Sequence, residues 1–137
     1  MKIHFKGILL FSISILFILL IFSSCGKKKE GLLVGTWEYV WISQNDSNEV
    51  IVYSFSEGGN IERVSTINGV DTKNTGTYEL EKKTGKLFAT INIVGFRSWL
   101  NGKYRILHVD KDILIMQQVF DTNGNYAFAR FEFVRKN

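Results

Sequence analysis

The 137-residue chain has no proline, one cysteine and two histidines, and each scarcity excludes a class of protein. Cys25 alone cannot form an internal disulfide, so a small scaffold stapled by bridges is ruled out. Beyond it, His108 is the only histidine, which leaves little from which to build a nucleophile–base pair. No Gly-x-Ser-x-Gly turn offers a serine. No catalytic residue set emerges, so neither an enzyme nor a cofactor is expected. From residue 32 onward no long stretch repeats its apolar residues at the 3.6-residue helical period.

What is present begins with an apolar leader. Lys2 and Lys6 precede Gly7 to Phe22, an uncharged run of about 16 residues. That is near the top of the secretory range of roughly 7–15 and short of the roughly 20 that span a bilayer. Two small residues, Ser23 and Ser24, then lead into Cys25. The arrangement resembles the signal of bacterial lipoproteins, although Phe22 stands where leucine is usual, three places before the cysteine. The resemblance implies that residues 1–24 leave as a signal peptide. Cys25 then becomes the first mature residue, carrying diacylglycerol on its sulfur and an acyl group such as palmitate on its amine. Lipidation would also account for a cysteine that has no partner. Each buried methylene contributes about 0.8 kcal/mol and one chain binds only marginally, so two or three chains hold the protein at a membrane. An uncleaved anchor helix, the alternative, would need no small residues at its end. Gly26 stands where aspartate retains some Gram-negative lipoproteins at the inner membrane. Lys27 to Lys29 replace the acidic run that marks surface export in others. Both point to the outer membrane, facing the periplasm.

Without Lys2 and Lys6, 15 basic residues stand against 13 acidic ones, and Lys27 to Lys29 alone exceed that surplus. The domain is therefore near neutral and shows no basic patch interleaved with aromatics, so nucleic acid is not an expected partner. Residues 25–31 read as a lipidated cysteine with a short basic linker. The three lysines solvate it, each worth at most about 1 kcal/mol at an anionic surface.

Residues 32–137 form one domain, large enough for a single core without staples. Short β-branched and aromatic runs recur at 8–12-residue spacing between turn residues, the pattern of an all-β sandwich or barrel. The runs are Val34 to Ser43, Val50 to Ser56, Ile61 to Ile67, Thr75 to Glu81, Lys86 to Val94, Lys103 to Val109, Ile113 to Phe120 and Tyr126 to Val134. Glu57 to Asn60, Lys82 to Gly85 and Asp110 to Asp112 read as turns. Asn68-Gly69 reads as opening a looser loop, and Asn101-Gly102 as a two-residue hairpin. Gly95 marks a break, with Arg97 to Leu100 continuing extended. Short turns make sequence neighbours spatial neighbours, giving an up-and-down antiparallel meander of eight strands. Closing it into a barrel removes the exposed edges.

Gly35-Thr36-Trp37, at the start of the first strand, resembles the Gly-x-Trp motif of the lipocalins. In that family the tryptophan lies at the closed end of the barrel beneath an arginine that follows the last strand. Strand parity supplies a candidate: if Ala127, Ala129, Phe131 and Phe133 face inward, Arg135 arrives beside Trp37, whereas Arg130 shares the outer face with Glu132. A cation–π contact there is worth about 0.5–2 kcal/mol. The mature chain resembles the short lipocalin-like lipoproteins of Gram-negative bacteria. It is shorter than the larger lipocalins and lacks their disulfide and the helix after the barrel.

Two further groupings suggest metal ligands. His108, Asp110 and Asp112 share parity, but aspartate is expected at a hairpin for its bonds to the backbone. Asp121-Thr122-Asn123-Gly124-Asn125 with Glu132 matches calcium-loop positions 1, 3, 5 and 12, but Tyr126 replaces the required glycine. Asn123-Gly124 as a type I′ turn explains the same letters, and no metal is expected. The remaining feature is aromatic surface: Tyr39 and Trp41 on the first strand, with Tyr53, Phe55, Tyr78 and Phe131. Eight strands enclose just enough space for side chains or one small ligand. Two readings stay open: a lumen that takes a small hydrophobic ligand, or a filled barrel acting through protein contacts at Gln44 to Glu49 and Asn68 to Asn74.

Overall fold

The computed structural model describes residues 29–40, 48–97 and 100–137; Cys25 with its leader, and Trp41, lie outside them. The chain divides at Gly31 and Leu32, and the barrel belongs to the unit Leu32–Asn137. Its strands are β1 (Gly35–Tyr39), β2 (Glu49–Ser56), β3 (Asn60–Ile67), β4 (Val70–Lys83), β5 (Lys86–Ile93), β6 (Gly102–Val109), β7 (Ile113–Asp121) and β8 (Arg130–Arg135). Each pairs antiparallel with its sequence neighbours, and β8 returns to β1 with Trp37 opposite Arg135 and Tyr39 opposite Phe133, which closes the barrel.

Period-2 alternation sets the core. Along β5, Leu87, Ala89, Ile91 and Ile93 are buried; on β7, Leu114, Met116 and Gln118. Each large apolar side chain so buried contributes roughly 1.5–3 kcal/mol. Alternation breaks once on each strand of the β6–β7 pair. Leu107 and Val119 have no partner in the ladder, so each is a bulge. At the first, Leu107 and His108 both face out before Val109 turns back in.

Several connections differ from the sequence expectation. Asn68-Gly69 does not open a loop. Ile67 pairs directly with Val70, and the two residues take φ +50° and +79°, a two-residue hairpin turn. The polar stretch after it extends β4, carried by cross-strand pairs on the outer face such as Lys73 with Glu62 at 2.5 Å and Thr66 with Asp71 at 2.7 Å. Asn101-Gly102 makes no hairpin, and Leu100 N donates to Arg97 O at 3.0 Å, a spacing that an extended run from Arg97 to Leu100 would not allow. Asn101 is buried and acts as a stand-in strand. Its side chain accepts from Ile93 N and donates to Ile93 O, both at 3.0 Å. Nor is Asn123-Gly124 a type I′ turn, because only Gly124 of the pair has positive φ. β8 begins at Arg130, so Ala127 is half-buried and Ala129 exposed instead of both facing the core. The bulge at Val119 shifts the register there, and Gln118 N donates to Ala129 O outside the regular ladder.

Candidate functional site

The two ends of the barrel differ. At one end Leu33, Trp37, Phe55 and Phe133 are fully buried. Trp37 Nε1 donates to Leu33 O at 2.8 Å, and the Arg135 guanidinium carbon lies 4.1 Å from the centre of the Trp37 ring. The same guanidinium donates to Leu32 O at 2.6 Å, Val34 O at 3.2 Å and Lys111 O at 2.6 Å. It therefore ties the residues before β1 to the β6–β7 turn. Gly35 makes room for it: the backbone there has φ +142°, and a Cβ would collide with Arg135 Nη1. Arg130 instead pairs with Glu132 at 2.8 Å on the outer face.

Above this plug the barrel is still packed. Tyr53 meets Phe133 edge-on at 5.5 Å and Tyr104 meets Phe131 at 5.7 Å. The void among Tyr53, Tyr104, Met116, Phe131 and their neighbours is about 10 Å³, room for one water at most. Tyr104 donates to Leu100 O, and burial pushes its hydroxyl well above the ordinary tyrosine range.

Toward the opposite end the barrel opens into a bowl of about 410 Å³, within the size range of small-molecule sites. Its lining mixes apolar and ring side chains, Ile51, Tyr39, Tyr53, Phe96 and Phe131, with the polar Glu49, Arg63, Ser65, Thr72 and Asn74. Arg63 stands opposite Tyr53 on the adjacent strand, both turned inward. Its Nη2 lies 3.4 Å from Glu49 Oε1, which also accepts from the Ser65 hydroxyl. The Phe96 ring lies 4.2 Å over the guanidinium carbon. Burial raises the Tyr53 hydroxyl above its ordinary range, with Arg63 beside it pulling the other way. Burial likewise raises Tyr39.

Of the aromatic residues singled out from the sequence, Tyr39, Tyr53 and Phe131 line the bowl. Phe55 and Tyr78 do not. They pack edge-on against each other at 5.1 Å near the plugged end, and Tyr78 donates to Ser56 O at 2.9 Å. Trp41 lies outside the described residues. Arg63, Glu49 and Ser65 are the residues that sequence reasoning passed over. Their signal was parity: Arg63 and Ser65 sit between Ile61 and Ile67 on the inward register, and Glu49 shares its register with Ile51, Tyr53 and Phe55.

The carboxylates near His108 and in the β7–β8 connection cap turns. Asp110 bonds His108 Nε2 at 2.8 Å and accepts from Asp112 N and Ile113 N at 2.8 and 2.7 Å. These bonds, His108 first, hold its carboxyl down to about 2. Asp121 accepts from Asn123 N, Asn125 N and the Asn125 side chain at 2.9, 2.8 and 3.1 Å, which lowers its pKa in the same way. No trio of His, Cys, Asp or Glu among the described residues is placed to hold a metal ion.

No protein-family model matches the chain, and no curated protein matches it.

Proposed function

We propose that this is a lipocalin-like carrier that takes one small ligand into the bowl at the Tyr39 end, and that lipid on Cys25 tethers it to the periplasmic face of a bacterial outer membrane. The observation that carries the ligand reading is the asymmetry of the lumen. It is sealed by Leu33, Trp37 and Arg135 at one end and holds about 410 Å³ lined by rings and polar groups toward the other. Gly35, Trp37 and Arg135, placed as in the lipocalin closed-end motif, support the family likeness. The tether rests on the leader, the small residues Ser23 and Ser24, and the lone thiol.

The bowl reading predicts saturable binding of an uncharged fluorescent probe such as Nile red. Replacing Ile51 by Trp fills the bowl and should weaken that binding at least tenfold, whereas Val50→Trp, on the outer face of the same strand, should not. Equal binding by both variants would refute the carrier reading.

A second reading, an envelope protein acting through protein contacts, draws on one observation. Tyr126 and Phe128 are each 77% exposed, beside Phe88, Val119 and Phe120 on the outer wall. If Tyr126→Ser with Phe128→Ser leaves cross-linked complexes in the envelope unchanged, this surface has no such role.

A further inference from the structure

We infer, resting on the carrier reading above, that the ligand is a compact monocarboxylic acid whose head engages Arg63 and whose apolar body lies on Tyr39, Ile51 and Phe131. Arg63 is only 7% exposed, yet it lines the bowl, and its Nε is buried without a hydrogen-bond partner among the described residues. A guanidinium has five N–H donors in a planar fork, and leaving such donors dry and unpaired is unfavourable. The 3.4 Å approach of Glu49 is long for a charge-assisted bond, which usually closes to about 2.7–2.9 Å. Glu49 also divides its Oε1 between Arg63 and Ser65. A second carboxylate, arriving with two oxygens, fits the fork better than any other group in the bowl.

The charge of the lining agrees. Arg63 and Arg97 stand against one described carboxylate, Glu49. Shape then limits the body of the ligand. The bowl is shallow, because the space beneath Tyr53 and Phe131 falls to about 10 Å³. An extended acyl chain running down the barrel axis has nowhere to go, whereas a branched or ring-shaped body does. The Phe96 ring covers one face of the guanidinium, which leaves a carboxylate to approach in its plane, where the N–H donors point.

The test is a matched pair, 2-naphthoate and its neutral isostere 2-naphthamide, titrated by calorimetry against the full chain in nanodiscs with empty nanodiscs as blank. At neutral pH the acid should bind at least tenfold more tightly than the amide. Arg63→Gln should abolish that preference, bringing acid and amide to equal affinity. Because Arg63→Gln disturbs a buried cluster, Glu49→Gln gives an independent arm: with the resident carboxylate gone, acid affinity should rise several-fold relative to amide affinity. Equal binding of acid and amide by the unaltered chain, or loss of acid preference in Glu49→Gln, would overturn the inference and leave the carrier reading standing. If neither compound binds, both fall.

Discussion

Gly35 and Arg135 depend on each other. The guanidinium occupies the space a Cβ at residue 35 would take, and the backbone there has a φ that side chains disfavour. Gly35→Ala should therefore cost about 1–3 kcal/mol from backbone strain alone, with more from displacing Arg135, read as a lower urea midpoint at unchanged slope. Asp110 gives a pH-dependent counterpart. Its folded pKa of about 2 lies below its ordinary value of 3.8. Its contribution is therefore fully present above pH 3.8 and is lost as pH falls through about 2. A carboxyl NMR titration should place the midpoint near the lower value, and His108→Ala should move it upward. The meeting of Trp37 and Arg135 could be read from strand parity, because both sit at fixed offsets from strand ends that pair. Arg63 could not be read so easily. A charged residue within a strand is ordinarily assigned to solvent, and only the ring of strands closing around it makes the inside a place for charge.

Among the elements, the β4–β5 turn was legible, whereas the β3–β4 turn and the β5–β6 connection were not. Thr84-Gly85 joins Lys83 directly to Lys86, with φ +51° and +73°, as a tight connection should. Asn101-Gly102 carries letters that suggest the same turn, but the asparagine amide is engaged by the backbone of Ile93. Two polar groups of Ile93 are thus satisfied by one side chain where the strand runs out. Asn101→Ala should cost about 2 kcal/mol or more, since it leaves a buried N–H and C=O unpaired. It should also speed hydrogen exchange at the Ile93 amide well beyond its effect on β7. Unchanged exchange at Ile93 would mean that water replaces the side chain without loss. Asn68-Gly69 shows the opposite error: its polar sequel looked like a loop because Asp71, Thr72, Lys73 and Asn74 lack apolar alternation. Outer-face pairing with β3 supplied what alternation did not.

For the whole molecule, closure was legible because eight runs joined by short turns leave two edges that can only pair with each other. Whether the lumen is hollow was not legible, and the answer divides along the axis, packed beneath and open above. Side-chain volumes that a linear pattern does not contain decide that division. The proposed tether makes its own prediction. Cys25→Ser in the full chain should abolish incorporation of labelled palmitate and release the protein from the membrane fraction. The barrel should keep its melting temperature, because Cys25 lies outside the unit Leu32–Asn137 that forms it. Label retained in the serine variant would end the lipoprotein reading.

The bulge at Leu107 leaves β6 with one spare residue. Because Leu107 and His108 both look outward, an in-frame loss of the Leu107 codon would keep Tyr104, Ile106 and Val109 turned toward the lumen and would only straighten the wall. Loss of the Tyr104 codon offers no such slack, since it drives Lys103 or Arg105 into the interior. Length variation in this strand is therefore tolerated at one place and excluded three residues away.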